Sequence, residues 1–336
     1  MIRRFLVTFL LLAVSLATAA SAQTKLNAAG ATFPYPMYSK WFSEYNKLHS
    51  DIQINYQSIG SGGGIRQVLA GTVDFGATDG PMTDDQLSQA KSKIYHIPTV
   101  LGAVVPAYNV PGVNQELKFS SATLAGIFLG RIGNWNDAAI AKENPGVSLP
   151  NLPIIVVHRS DGSGTTYVWT DYLTKISSDW ASGPGKGTSV RWPLGLGAKG
   201  NEGVAGNIRN MQGSIGYIEL IYAEQNKISF GSVKNSAGEY VKASLESTTA
   251  AAGTAKMPND FRVSITNAPG KGVYPIASFT WLLIPAKNAD AGKQKIVVDF
   301  LNWMITDGQK MTAELTYAPL PAEVAAKVKA TIAQIK

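Results

Sequence analysis

Apolar and polar positions along the chain switch repeatedly between the period of a strand and that of a helix. DIQINYQSIG (51–60) reads as a strand, GGIRQVLAG spaces Ile65, Val68 and Leu69 as one helical face, and TVDFGATD (72–79) reads as a strand again. The rhythm returns further on. SATLAGIFLG (121–130) places Leu124, Ile127 and Phe128 on one helical face behind Ser121 as its cap, LPIIVVHRS (152–160) is a buried strand, and TTYVWTDYLTKI (165–176) is the helix after it. Two blocks of alternating strand and helix predict an α/β protein with parallel pairing in each block.

Other segments organise these blocks. IPTVLGAVVPAYNV (97–110) and YPIASFTWLLIP (274–285) are apolar, proline-bounded and far apart in sequence, as expected of two strands by which the chain crosses between lobes and returns. Near the C-terminus, Ile296, Val297, Phe300, Leu301 and Met304 share one helical face, and Val324, Val328, Ile332 and Ile335 share another. The Gly/Ala/Ser/Thr-rich stretch from Lys234 to Lys271 reads as an irregular excursion. No heptad array, solenoid period or long charge run interrupts the pattern.

The N-terminus has a different character. Arg3 and Arg4, an apolar run from Phe5 and the triplet Ala20-Ser21-Ala22 are in the order of a secretory signal peptide cleaved after Ala22. The run is short and broken by Ser and Thr, which argues against a retained anchor. The chain has no cysteine, so neither disulfides nor a lipid anchor at the signal boundary is expected, and a core from 336 residues must carry the stability. The expected compartment is the periplasm. Without Arg3 and Arg4 the net charge falls from +7 to +5, which suits small anions and is too weak and scattered for nucleic acid.

Three segments then share one local design. GATFPYP has Thr32 and Phe33 ahead of Pro34, a residue suited to a first helical turn. IGSGGGIRQ has Ser61 opening a helix after a strand, and DGSGTTY has Ser163, Gly164 and Thr165 in the same relation. Each joins a helix N-terminus and a hydroxyl, and glycine bares the backbone N–H groups of the two strand-to-helix turns, as in an anion-binding terminus. Small polar residues before a helix are ordinarily only caps; the repetition, with Arg159 ending an apolar strand and Asp79 closing another, points to a ligand at the carboxyl ends of the strands.

Enzyme readings find little support. DGSG lacks the spacing of a nucleophile elbow, GPGKGTS is not a Walker loop, and His49, His96 and His158 have no metal-ligand spacing. His158 as a base for Ser163 competes with simple packing of a strand residue. Trp41, Trp169, Trp281 and Trp303 fall within helical or strand patterns and read as core.

AAGATFPYPMYSKW, YQSIGSGGGIRQ, TVDFGATDGPM, HRSDGSGTTYVW and WPLGLGAKGNEGVAG, in this order, resemble the phosphate-binding periplasmic protein of the phosphate-specific ABC transporter. The resemblance spans nearly the whole chain after residue 22. It implies a two-lobed periplasmic binding fold of type II, each lobe a sheet flanked by helices, joined by a two-strand hinge and closing over one phosphate. The implied lobes are 23–103 with 278–336, and 104–277, after a signal peptide at 1–22. Residue by residue it implies phosphate ligation by Thr32, Phe33, Ser61, Asp79, Arg159, Ser163, Gly164 and Thr165, with Asp161 pairing the arginine. Gly62 stands where the family often has a second serine, and Thr78 where it usually has Ser. The implied protein is a monomer that needs no cofactor or metal, takes arsenate as a competitor of phosphate, and meets the membrane permease subunits of the transporter and no nucleic acid. Two other readings stay open on the residues alone: a secreted phosphatase using Ser61 or Ser163, and a surface interaction protein using the 234–271 segment.

Overall fold

The computed structural model describes residues 23–335. The signal-peptide reading of residues 1–22 lies outside them. The chain begins with β1 (Thr24–Gly30), α1 (Tyr35–Leu48), β2 (Ile52–Ser58), α2 (Ser61–Ala70) and β3 (Phe75–Thr78), with β1 parallel to both β2 and β3. Then α3 (Asp84–Ser88) leads into β4 (Ile94–Asn109). A second block follows: β5 (Lys118–Phe119), α4 (Ser121–Phe128), α5 (Ala138–Glu143), β6 (Ile155–Arg159), α6 (Gly164–Ile176), α7 (Ser178–Ser182), β7 (Leu196–Ala198), α8 (Gly200–Asn210), β8 (Ser214–Glu219) and α9 (Leu220–Gln225). It continues through β9 (Ser229–Phe230), β10 (Ser232–Lys234), β11 (Tyr240–Val241) and α10 (Leu245–Gly253). The chain returns with β12 (Ala277–Pro285), α11 (Ala291–Met304), a 3-10 turn (Gly308–Leu315) and α12 (Ala322–Ile332).

The order β2-β1-β3-β12-β4-β8-β6-β7 makes one mixed sheet, with β9 also on β4. β4 is the strand both blocks share. Its residues from Ile94 to Ala103 pair antiparallel with β12, and those from Val104 to Asn109 pair antiparallel with β8. The two apolar, proline-bounded segments are therefore adjacent strands. Their register shifts between Thr280 and Trp281, opposite Thr99, next to Pro98. A proline cannot donate to a ladder, and a bulge is where a sheet accommodates one. Thr99 satisfies the disturbed ladder by donating its hydroxyl to the carbonyl of Thr280 at 3.2 Å.

Helices cover both faces, and the apolar faces read from the sequence are buried: Ile65 and Val68 of α2, Leu124, Ile127 and Phe128 of α4, Val324, Val328 and Ile332 of α12. Trp41, Trp169 and Trp281 are fully buried and Trp303 partly so. Some expectations need correction. The cap of α4 is Ser120, whose Oγ accepts from the N–H of Thr123, while Ser121 is already in the helix. Pro34 precedes α1, and Pro36 occupies its first turn. The 234–271 stretch is partly ordered: β10 pairs with β11 and β5 in a small second sheet, and α10 carries a capping box between Ser244 and Ser247. Its Ser and Thr residues serve caps and turns, which composition alone reads as irregularity.

Candidate functional site

The site is built where β1, β2, β3, β6 and β7 end and the next helices begin. Thr32 and Phe33 follow β1, Ser61 opens α2, Asp79 follows β3, Arg159 ends β6, and Ser163, Gly164 and Thr165 open α6. All eight residues are buried, and contacts join Gly164 to Ser61 and Asp79, Arg159 to Thr165, and Thr32 to Thr165 through Asn201.

Two glycine-rich turns meet face to face. The N–H of Gly62 donates to the carbonyl of Gly162 at 2.8 Å. Gly60 has φ of 83°, and a Cβ there would lie 2.3 Å from Asp161 Oδ2. A Cβ on Gly164 would lie 2.3 Å from Ser61 Oγ and 2.4 Å from Asp79 Oδ2. Only residues without side chains permit this approach.

Arg159 is held by its edge. Its Nε donates to Asp161 Oδ1 at 2.8 Å and its Nη2 to Asp161 Oδ2 at 2.6 Å, a bidentate pair that fixes the guanidinium plane. Nη1 reaches Thr165 Oγ1 at 3.4 Å. Burial opposes ionisation of Asp161, but its bonds from Arg159 and from the N–H of Gly200 outweigh it and hold the carboxyl below its ordinary value. The strand end itself is braced, because the N–H of Arg159 donates to Tyr217 Oη at 3.0 Å. Tyr217 stacks on Trp169 and on Trp192. Phe33 is packed on Gly102 and Tyr317, and Tyr317 donates its hydroxyl to the Phe33 carbonyl.

The hydroxyls share one polarity. Ser61 Oγ accepts from the N–H of Asp79 at 3.2 Å, and Ser163 Oγ caps α6 by accepting from the N–H of Thr166 at 3.0 Å. Thr32 Oγ1 accepts from both the N–H and Nδ2 of Asn201, at 3.2 and 2.8 Å. Thr165 Oγ1 accepts from Asn201 Nδ2 at 3.0 Å as well as from Arg159. An N–H group can only donate, so each hydroxyl keeps its hydrogen for a further acceptor. The N–H groups of Gly164 and Thr165, which helix geometry leaves without intrahelical partners, add to the array.

Asp79 is the exception. Its Oδ1 accepts from Thr280 Oγ1 at 2.8 Å, whereas its Oδ2 is buried without a partner. Burial pushes its carboxyl up to about 7, against the lowering influence of Thr280, Arg159 and Ser61. The arrangement is thus an array of donors plus one acceptor with a free lone pair, suited to a small oxyanion that still carries a proton. No group of His, Cys, Asp and Glu able to hold a metal occurs among the described residues. His158 stacks on Trp192 and leaves Ser163 to its role as a cap.

Sequence reasoning missed Asn201, Thr280 and Tyr217. Asn201 carried a usable signal: GAKGNEGVAG is a further strand-to-helix turn in which glycine precedes a polar residue at a helix start. Thr280 and Tyr217 lie in apolar strands with no local mark of a role.

Comparison with known proteins agrees with this geometry. Residues 17–308 match the family model described as a PBP superfamily domain. The phosphate-binding protein PstS of Xylella fastidiosa (strain Temecula1) is 46% identical over 309 residues, covering 91% of this chain and 84% of that protein. The protein of the same name from Pasteurella multocida is 45% identical, covering 96% and 94%. Among solved structures, a periplasmic phosphate-binding protein (PfluDING) bound with phosphate superposes with a TM-score of 0.73 at 23% identity, covering 91% of this chain and 93% of that one. A putative phosphate ABC transporter substrate-binding protein from Clostridium perfringens gives 0.65 at 16%, covering 89% and 100%. With curated relatives this similar over nearly their full length, and the periplasmic binding fold to match, the chain belongs to the PstS family of phosphate-binding proteins.

Proposed function

We propose that this protein captures inorganic phosphate in the buried site between its two blocks and delivers it to the permease subunits of a phosphate-specific ABC transporter. The observation that carries the reading is the polarity of the site. Four hydroxyls, Arg159 and helix-terminal N–H groups donate, and Asp79, in contact with the Ser61 and Gly164 turns, offers a buried lone pair with no partner. Phosphate at neutral pH matches that pattern, since its oxygens accept and its remaining proton is given to Asp79. The ligands are Thr32, Phe33, Ser61, Asp79, Arg159, Ser163, Gly164 and Thr165, with Asp161 orienting the arginine.

Closure brings the ligands together from two lobes, 23–103 with 278–336 and 104–277. The change of partner along β4, from β12 to β8 at Ala103 and Val104, supports that division. Thr32, Ser61 and Asp79 come from one lobe and Arg159 to Thr165 from the other. Arsenate, which also keeps a proton, competes. The protein works as a monomer in the periplasm after cleavage of its signal peptide, and no helix among the described residues is long and apolar enough to cross a membrane. The phosphatase reading is not favoured, because Ser61 Oγ and Ser163 Oγ are each bonded to a backbone N–H that can accept no proton.

Calorimetry with phosphate and sulfate on the mature chain tests the reading. One phosphate per chain with sulfate rejected is expected; turnover of nitrophenyl phosphate that disappears in Ser163→Ala would overturn it.

A further inference from the structure

Asn201 is fully buried at the start of α8, and its four hydrogen bonds tie the two halves of the site together. Its Oδ1 accepts from the N–H of Glu219 at 3.0 Å, and that N–H can only donate. The amide orientation is therefore fixed, with Nδ2 facing Thr32 Oγ1 at 2.8 Å and Thr165 Oγ1 at 3.0 Å. Its backbone N–H adds a bond to Thr32 Oγ1 at 3.2 Å. Both lone pairs of the Thr32 hydroxyl are thereby occupied, and so are those of Thr165, whose second donor is Arg159 Nη1. Each hydroxyl has one remaining direction for bonding, and its own hydrogen fills it.

We infer that Asn201 is a positioning residue that sets the Thr32 and Thr165 hydroxyls as obligate donors toward the anion and couples the two lobes through one amide group. The inference rests on the phosphate-binding reading and adds a residue to it. Ser61 and Ser163 have their polarity set by the backbone of their own turns, Asp79 N–H and Thr166 N–H. Thr32 and Thr165 lack such a local partner for their side chains and depend on Asn201, which approaches from a third turn. The Thr32 backbone is held at its carbonyl, which accepts from Tyr222 Oη at 2.6 Å, so the aim of its hydroxyl is left to the bonds from Asn201.

The discriminating substitution is Asn201→Asp, nearly isosteric but an acceptor when ionised. A carboxylate there takes the hydrogens of Thr32 and Thr165, turns their lone pairs toward the anion and adds its own repulsion, which the uncharged cycle below separates from the turning of the hydroxyls. Protonation restores a donor. Phosphate Kd is measured for wild type and variant from pH 8 to pH 5.5, and the ratio at each pH cancels the titration of phosphate itself. The expected ratio at pH 8 is about 100-fold or more, on the scale of two charge-assisted hydrogen bonds lost, and it falls at least about tenfold by pH 5.5. A ratio below threefold, or a large ratio that does not change with pH, overturns the inference.

A second measurement covers a variant that fails to fold. In a cycle of Asn201→Ala with Thr32→Val, the loss caused by Asn201→Ala shrinks about fivefold or more once the Thr32 hydroxyl is gone. Independent, multiplicative losses overturn the inference. Absence of phosphate binding by the wild type would overturn the functional reading and this inference with it, whereas wild-type binding with either contrary result overturns the inference alone.

Discussion

Arg159 and Asp79 lie in one buried site without forming an ion pair. Arg159 gives two of its donors to Asp161 and a third to Thr165, while Asp79 takes the Thr280 hydroxyl and keeps a free oxygen. Were the two paired with each other, they would neutralise the site and leave little for an anion. Asp161 thus absorbs the demand of Arg159 for a partner on one edge and leaves the rest of the guanidinium to the ligand.

From this relationship, Arg159→Ala weakens phosphate binding by roughly 2–5 kcal/mol, because the ligand loses its cation and the half-buried Asp161 loses its counter-charge, keeping only the N–H of Gly200. Asp161→Asn costs less, since Arg159 keeps its charge and Oδ1 of the amide still accepts. Titration calorimetry of the two variants orders them; equal affinities for Arg159→Ala and wild type would remove Arg159 from the site.

Gly164 separates folding from closure. Its φ is not in the left-handed region, so alanine is compatible with the local backbone, yet a Cβ would lie 2.3 Å from Ser61 Oγ and 2.4 Å from Asp79 Oδ2. Those atoms belong to the other of the two lobes proposed above. Gly164→Ala is therefore expected to melt close to wild type while losing about 100-fold or more in phosphate affinity, the scale of blocked closure on a packed backbone. X-ray scattering with phosphate added should show compaction of the wild type and none of the variant. Compaction of the variant at the same phosphate concentration would contradict the division into lobes.

The degree to which this site is legible in the sequence follows from how local each residue's role is. Ser61 and Ser163 stand in glycine-rich strand-to-helix turns, where the function of a hydroxyl is set by its immediate neighbours, and period and composition find them. Asp79 and Arg159 are marked by being charged at the ends of buried strands. Thr280 and Asn201 act across 201 and 169 residues, on Asp79 and Thr32, and no window of sequence contains both partners. The same limit explains the fold. The βαβ units are local and were readable, and so were the two crossing strands as segments. The bulge at Thr99 and the sharing of β4 between two sets of partners arise only from long-range pairing.

A pH-dependent contribution to stability comes from Asp171 in α6. It is buried and accepts from Ser264, Thr266 and Lys186, with Lys175 at 3.0 Å. Burial opposes its ionisation, but the bonds from Ser264 and Thr266 and the charge of Lys175 outweigh it and bring the carboxyl to about 2. A carboxyl depressed in the folded state stabilises it above its unfolded pKa, and that contribution is lost as pH falls through the folded value. Asp171→Asn should then cost about 2 kcal/mol at pH 6–7, with the difference from wild type closing as pH drops from 4 toward 2. Urea unfolding of both proteins across that range checks it; a difference unchanged down to pH 2.5 would assign the cost to packing instead.

Selectivity rests on Asp79. A carboxylate lining an anion site repels any fully ionised oxyanion, so its presence demands a ligand that can donate. Phosphate at neutral pH retains a proton and gives it to the unpartnered Oδ2, whereas sulfate offers only lone pairs to a buried acceptor beside a like charge. Wild type should therefore bind sulfate more weakly than phosphate at pH 8, with Asp79 supplying about tenfold of the difference, the cost of protonating a carboxyl raised to about 7 at one unit above that value. Burial raises the Asp79 carboxyl to about 7, so it takes up a proton as pH falls through that value and then donates to sulfate as it could not before. Sulfate has no titration of its own in this range. Its affinity for wild type should accordingly tighten as pH falls from 8, by up to about tenfold per unit above pH 7, where one proton is taken up per sulfate bound, and level off below that value. Asp79→Asn replaces the repelling acceptor with a group that also donates, so its sulfate affinity should be higher at pH 8 and level across the range. Competition titrations of both proteins at fixed ionic strength from pH 8 to pH 5.5 measure this directly. A wild-type sulfate affinity equal to that of phosphate at pH 8, or one that does not tighten between pH 8 and pH 7, would show that something other than Asp79 discriminates between the two anions.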